Sequence, residues 1–464
     1  VEENMIKIFI LVIFLLFSYC KADVNPLLNE LAKIIKENTV YEDKDLDKKI
    51  VYDAIRGLAY SLDKYTNFMD PVETQDFETQ SKGEYGGIGS ITGIRNDILT
   101  IIYPFENAPL DKAGIKPGDR ILKINGESTK NMKLMDAIHK LRGTPGTQVT
   151  LTILREEPTE KLFDITVTRE IIRTESVDAF TFKEIGYIKI YNFSQDTGEE
   201  IQQALRKIRE SGNIKGIILD LRDNPGGSLD AAVNVASAFV GRGKLVTSTE
   251  GRDFRINRRF TSRPVANVES ELPMVVLVNQ NSASASELLS GALQDHSRAI
   301  ILGTKTYGKG CGQNPFPLRD RSTLLLTTFY YYTPKHRCVH EKGVQPDIIH
   351  EPKPKSPVMF DLEYRECFIK YAWSYIKKNP QVDEKELKIT DAMLYSFLRF
   401  ALEHGVNVDE NTFQAEKENI RKNIKAEIIR LSSGEKAARR FLAEEDEIVN
   451  HAIDLIKAMK VFKK

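Results

Sequence analysis

The chain has 464 residues, 41% of them hydrophobic, which is enough apolar material for more than one core and predicts two or three domains. Lys plus Arg and Asp plus Glu number 66 each, and this balance argues against nucleic acid as the main partner. Cys20, Cys311, Cys338 and Cys367 are too few for a disulfide scaffold, and no Cys/His spacing resembles a zinc site, so no cofactor or metal is expected.

Met5-Ile6-Lys7 opens a short basic stretch, Ile8 to Phe17 is wholly apolar, and small residues stand at Cys20 and Ala22. This predicts a secretory signal over residues 5–22, cut after Ala22. A retained anchor is the alternative, although the apolar run is short for a spanning helix. Cleavage leaves three cysteines and at most one bridge, for which Cys311 and Cys338 are the couple. Residues 23–82 form the expected N-terminal helical region. Leu28, Leu31, Ile34 and Ile35 make one apolar stripe, and Ile50, Ala54, Ile55, Leu58 and Leu62 another. The stripes fit either a cap on the main core or a dimerisation arm. From Leu62 a polar linker is expected to about residue 82.

Residues 83–170 change character. Glycines 86, 87, 89 and 93 surround short alternating runs, and Leu99–Ile102, Arg120–Ile124, Val149–Ile153 and Phe163–Val167 read as strands around one helix, Met132–Leu141. That predicts a small β-rich domain. Residues 171–355 read as an α/β domain: strands at Gly186–Ile190, Gly216–Leu221 and Leu324–Phe329, with helices at Thr197–Arg209 and Leu229–Val240. The near-continuous apolar run before Asp220 is that of a strand covered on both faces. Residues 356–464 are charge-rich and mostly helical, with one face of each helix packed.

Two residues of the α/β domain follow strand-like runs. Ser284 comes after Met274–Val278, and Lys309 comes after Ala299–Gly303. Ends of adjacent strands would bring the hydroxyl and the amine to one sheet edge. A serine hydroxyl needs a base, and a lysine serves only if burial takes its pKa from about 10.4 towards neutrality. Gly308 and Gly310 let the chain turn sharply around Lys309, while Ala283 and Ala285 leave room beside Ser284. Gln313 follows four residues later and is suited to orienting the lysine. The turn at Gly226 and Gly227, with the N–H of Ala285, would supply oxyanion donors. A plainer reading makes Ser284 the N-cap and Glu287 the N3 residue of a capping box, and Lys309 a loop lysine. No histidine forms an Asp-His-Ser set; His296 reads as a helix-end residue beside Asp295. Asp220 and Asp223 read as turn and ion-pair residues rather than a metal pair.

The combined motifs resemble the carboxyl-terminal processing proteases, a Ser-Lys peptidase family with an inserted PDZ domain. The resemblance rests on Tyr85-Gly86-Gly87-Ile88-Gly89, Ala113 to Asp119, Leu219 to Gly227, Ser282 to Glu287, Gly308-Lys309-Gly310, Tyr332-Thr333-Pro334 and Gly343 to Asp347. It implies an α/β mixed-sheet protease core over 171–355, a PDZ domain over 83–170, and helical segments at both ends. It implies Ser284 as nucleophile, Lys309 as base, Gln313 as its orienting partner, and Gly226 or Gly227 with Ala285 around the oxyanion. Tyr85 to Gly89 would receive a free C-terminal carboxylate, as an anion nest beside a sheet edge can. The implied activity is serine endopeptidase cleavage of exported proteins near their C-termini, in a bacterial periplasm or cell envelope. The terminal helices would form a homodimer, and any activating adaptor is left unnamed. Arg155 would join peptide capture to proteolysis. Cys311-Gly312 and Lys335-His336-Arg337 depart from the family pattern and bear on loop geometry and substrate preference. A non-catalytic peptide-binding scaffold and an esterase are the competing readings.

Overall fold

The computed structural model describes residues 24–40, 45–95, 97–156, 160–265, 269 and 271–462. The expected signal and Cys20 lie outside the described residues. The chain divides into two compact units, Val1–Gln75 with Gln313–Thr328, and Asp76–Gly312 with Phe329–Lys464.

The first unit contains helices Val24–Asn38 and Leu46–Leu62 and the strand Asn67–Met69, which pairs antiparallel with Thr323–Leu325. Phe68 is buried against Tyr52, ring centroids 5.0 Å apart. The apolar stripes are largely uncovered: Leu31 is 51%, Leu58 59% and Leu62 65% exposed. The expected linker is instead a short strand followed by the helix Pro71–Lys82. Its start is a capping box. The Asp70 carboxylate accepts from the N–H groups of Val72 and Glu73, both at 2.9 Å, and the Glu73 carboxylate accepts from Asp70 N–H at 2.8 Å. Pro71 adds a fixed φ at N1.

In the second unit, Ser90–Arg95, Ile98–Pro104, Arg120–Ile124, Gln148–Arg155 and Lys161–Thr168 form an antiparallel sheet with Glu127–Ser128 at its edge. Leu99, Ile101, Ile121, Leu151 and Ile153 point into one core. Glu84–Gly87 pairs with Glu170–Arg173, tying the start of this domain to its end. Its helix begins at Leu134 rather than Met132, because Lys133 is extended (φ −66°, ψ 145°).

A six-stranded sheet forms the α/β core, in the order Val177–Phe182, Ile185–Ile190, Gly216–Asp220, Met274–Val278, Ile300–Gly303 and Ile348–Ile349. The first pair is antiparallel and the rest are parallel. Ile217, Leu219 and Val276 face helices Thr197–Glu210, Leu229–Val240 and Ala285–Asp295. Ile218, Val275 and Leu277 face Ile448, Val449, Ala452, Ile453 and Ile456 of the last helix, Glu447–Phe462. Burial on both faces is why these strands read as unbroken apolar runs. Helices from Pro357–Tyr364 to Glu435–Glu444 gather around a separate core that includes Phe397, Phe413 and Ile424. The architecture is the expected α/β mixed sheet, with an inserted β-rich domain and helical segments at both ends.

Candidate active site

Parallel strands present their loops at one edge, where α/β folds build sites. Three such loops follow Asp220, Val278 and Gly303.

The first carries Arg222 to Ser228. Asn224 is fully buried and fixes its shape: Nδ2 donates to Ile190 O at 2.9 Å, and Oδ1 accepts from Gly226 N–H at 2.8 Å. Gly226 (φ +103°) and Gly227 (φ +142°) adopt conformations that favour glycine. A Cβ on Gly226 would lie 2.7 Å from Ser284 Cβ and 2.9 Å from Ala285 N, so this turn sits directly against the serine. With the Gly226 N–H given to Asn224, the neighbouring donors are the N–H groups of Gly227 and Ala285. Neither has a hydrogen-bond partner among the described residues.

The second loop ends at Ser284, which caps the helix Ala285–Asp295 with φ +56° and ψ −113°. A non-glycine residue in that region stores backbone strain of about 1–3 kcal/mol, held here by surrounding bonds. Ala283 N–H and Ser286 Oγ both donate to Asn224 O at 3.0 Å, and buried Ser282 Oγ donates to Leu221 O at 2.8 Å. Asp223 (φ +58°) accepts from the Asn279 and Asn281 amides at 2.9 and 2.8 Å. Burial favours its neutral form, but those bonds, with Lys189 and Arg222 nearby, leave its pKa below the ordinary value.

The third loop carries Lys309, half-buried like Ser284. Its N–H donates to Glu287 Oε2 at 2.8 Å, and its carbonyl accepts from the Tyr331 hydroxyl. Glu287 joins the two loops. It is 0% exposed, and Oε2 also accepts from Ser284 N–H at 2.9 Å. Oε1 accepts from Thr306 Oγ1 at 2.6 Å and Gly308 N–H at 2.7 Å. Burial pushes the Glu287 carboxyl up, and the four hydrogen bonds return only part of that shift. The Ser-x-x-Glu spacing identifies the helix cap; it carries no sign of the second loop.

Gln313 lies in the strand Cys311–Pro317, where its amide donates to Thr327 Oγ1 at 3.2 Å. No disulfide joins Cys311 to Cys338. His296 ends its helix with Nε2 2.7 Å from Leu245 O, as a structural residue. Asp220 takes the expected ion-pair role at the turn, and its partner Arg222 is one the sequence did not single out. Buried Asp220 is bonded by Arg222, Lys189 (3.2 Å) and Tyr187 (2.7 Å), and Arg222 reaches Asp446 at 2.8 Å. No short motif can reveal a partner 224 positions away.

The chain matches peptidase family S41 over residues 184–350, the PDZ domain over 103–155, and a family of unknown function, DUF8443, over 359–432. It is 37% identical over 342 residues to a carboxy-terminal-processing protease of Bartonella bacilliformis, covering 73% of this chain and 77% of that one. The chain belongs to peptidase family S41. It is a serine-type peptidase with an S41 core and a PDZ domain. A probable CtpA-like serine protease of Staphylococcus aureus strain N315 is 37% identical over 333 residues, 71% of this chain and 66% of that one. A photosystem II D1 C-terminal processing protease structure is 28% identical, with 70% of this chain and 86% of that one covered and a TM-score of 0.41.

Ahead of the segment that matches the PDZ domain, Tyr85, Gly86 and Gly87 lie on the Glu84–Gly87 strand, and Ile88 and Gly89 link it to Ser90–Arg95. Gly143 N–H donates to Gly86 O at 3.0 Å, and the Arg142 guanidinium lies 4.6 Å from the Tyr85 ring centroid. The N–H groups of Ile88 and Gly89 have no hydrogen-bond partner among the described residues. Arg155 closes the turn before Arg120 through Asp119 (2.7 and 2.5 Å) and Gly114 O (2.9 Å).

Proposed function

We propose that Ser284 and Lys309 are the catalytic dyad of an endopeptidase that cleaves exported proteins near their C-termini. The observation that carries this reading is the shared carboxylate: one oxygen of buried Glu287 takes the N–H of both Ser284 and Lys309. Two loops pinned to a single atom hold their backbones in a fixed relation, as a two-residue mechanism requires.

In this reading Lys309 takes the Ser284 proton as the oxygen attacks the peptide carbonyl. The N–H groups of Gly227 and Ala285 receive the developing oxyanion, with Gly226 backing the serine. Lys309 then protonates the leaving amine, and water hydrolyses the acyl-enzyme. Gln313 orients the lysine. The PDZ domain, taken as 83–170, seats the substrate tail with its terminal carboxylate on the Ile88 and Gly89 N–H groups. The core is taken as 171–355, flanked by helical regions 23–82 and 356–464. The leader-like residues 5–22 support export to a bacterial periplasm or cell envelope. No described helix is long and apolar enough to cross a membrane. The uncovered stripes of the first two helices support a homodimer.

Cleavage of an unfolded protein with a free C-terminus tests the assignment. Ser284→Ala and Lys309→Ala are expected to bind the tail and leave the substrate intact. Wild-type rates in either variant would remove that residue from the dyad.

A further inference from the structure

Arg439 stands where three parts of the second unit meet. It lies on the helix Glu435–Glu444, where Glu435 accepts from its Nε at 3.0 Å. Nη1 donates to the Tyr191 hydroxyl at 3.1 Å, and Nη2 donates to the Tyr103 hydroxyl. The guanidinium also lies 5.0 and 5.3 Å from the centroids of the two rings. Tyr103 belongs to the PDZ strand Ile98–Pro104, and Tyr191 directly follows the core strand Ile185–Ile190. One side chain of the C-terminal helical region thus bonds the PDZ domain and the protease core together.

Each tyrosine is close to a site. On the PDZ side, Tyr103 is paired with Ile91 and Pro104 with Ser90 on the strand that leaves the peptide loop, and Phe105 N–H donates to Gly89 O at 3.0 Å. On the core side, Phe193 N–H donates to Gly226 O at 3.0 Å, and Ser228 N–H donates to Phe193 O at 2.8 Å. The Phe193 backbone therefore brackets Gly227, and a Cβ on Gly227 would lie 2.3 Å from Phe193 O. The contacts run from the peptide loop through Tyr103, Arg439 and Tyr191 to the turn beside Ser284.

The chemistry needs an arginine. Two separate Nη groups on a rigid plane reach two hydroxyls from two fixed positions while the guanidinium stays over both rings; an ammonium offers donors from one nitrogen on a flexible stem and cannot occupy both Nη positions. Arg439 is partly sheltered, its side chain 30% exposed. Burial pushes the Tyr191 hydroxyl up to about 12, so it stays protonated and neutral at working pH.

We propose that Arg439 is a positioning residue that couples occupancy of the PDZ peptide loop to the geometry of the Gly226–Gly227 turn. The inference rests on the reading of Tyr85–Gly89 as the tail site and Gly227 as an oxyanion donor. A tail that adds to Ser90–Arg95 loads the strand pair carrying Tyr103, and the guanidinium passes the constraint to Tyr191 and Phe193.

The test uses the full chain and one unfolded substrate in two forms, with a free and with an amidated C-terminus. Arg439→Met is expected to lower kcat on the free-tail form about tenfold, a typical coupling between sites. It should leave the Kd for a fluorescent tail peptide, the melting temperature and the rate on the amidated form unchanged. Arg439→Lys should behave like Arg439→Met, because charge alone does not bridge two hydroxyls. Tyr103→Phe and Tyr191→Phe should each lower free-tail kcat in the wild-type background and add nothing beside Arg439→Met. Equal losses on the two substrate forms, additive tyrosine effects, or wild-type kcat in Arg439→Met would overturn the coupling while leaving the Ser-Lys reading in place. Cleavage by Ser284→Ala, or no tail binding by wild type, overturns the underlying reading and the inference with it.

Discussion

The Lys309 N–H donates to Glu287 Oε2 at 2.8 Å, although the two residues are 22 positions apart. The same oxygen takes the Ser284 N–H, so the relation between the two loops depends on one buried carboxylate. Glu287→Gln keeps the shape and replaces one acceptor oxygen with an NH2 group. Two of the four donors then face another donor, and each unpaired buried group costs about 1–3 kcal/mol. The expected result is a drop of roughly 10²-fold in kcat with little change in KM, as when a group acts only in the transition state. Steady-state kinetics on a tailed peptide, with circular dichroism as the folding control, checks this. Unchanged kcat would mean the loops are held by other contacts.

The Gly226–Gly227 turn makes a second prediction. A Cβ at Gly226 would meet Ser284 Cβ, Ala283 O and Ala285 N within 2.9 Å, and two of those three are backbone atoms that cannot rotate away. Gly226→Ala must therefore push the turn and the serine apart. Loss of one oxyanion donor typically costs about 10²–10³-fold in kcat, and a comparable loss is expected here. Tail-peptide affinity should not change, because the PDZ loop is untouched. Labelling of Ser284 by a fluorophosphonate probe should slow in parallel.

The parts of this site legible in the sequence are those fixed locally. Ser284, Lys309 and the glycine turn each follow an apolar strand within a few residues, and a parallel sheet aligns the ends of such strands. The helix Pro71–Lys82 was hidden by its polar composition, even though Asp70 and Glu73 spell out its capping box. Glu287 was legible as a cap and not as the link to Lys309, because that link needs the strands already side by side. Arg439 reads in the sequence as a residue of the C-terminal helices expected to dimerise, and its bridging role does not show there. Its partners, Tyr103 and Tyr191, belong to separate domains, and no spacing rule connects them.

Asp220 predicts how stability responds to acid. Burial alone would raise its pKa, but the charges of Lys189 and Arg222, and hydrogen bonds from Arg222 and Tyr187, hold it well below the ordinary value of 3.8. A carboxyl depressed in the folded state contributes stability that is present above its unfolded pKa and is lost as pH falls through the folded one. The wild type should therefore lose stability progressively below about pH 4, the ordinary carboxylate range. Asp220→Asn leaves the buried Arg222 and Lys189 charges uncompensated and should cost about 3–5 kcal/mol near pH 7. The difference from wild type should narrow as the pH falls below 4, as measured by urea unfolding. A difference that stays constant with pH would rule out the ion pairs as its source.

Gly89 tests the tail site apart from the chemistry. It adopts φ +74°, and a Cβ there would lie 2.3 Å from Ala108 Cβ and 3.1 Å from Ile172 Cδ1. Gly89→Ala strains the backbone and shifts the loop whose N–H groups at 88 and 89 would hold a terminal carboxylate. Losing charge-assisted bonds of about 1.5–3 kcal/mol corresponds to a rise of roughly ten- to a hundredfold in tail-peptide Kd. The amidated peptide, which lacks the carboxylate, should bind wild type and variant equally weakly. Fluorescence anisotropy with both peptides separates the outcomes. If Gly89→Ala weakens the free and amidated peptides alike, the loop shapes the groove without receiving the carboxylate. If it weakens only the free peptide, the substrate end is recognised here, far along the chain from Ser284.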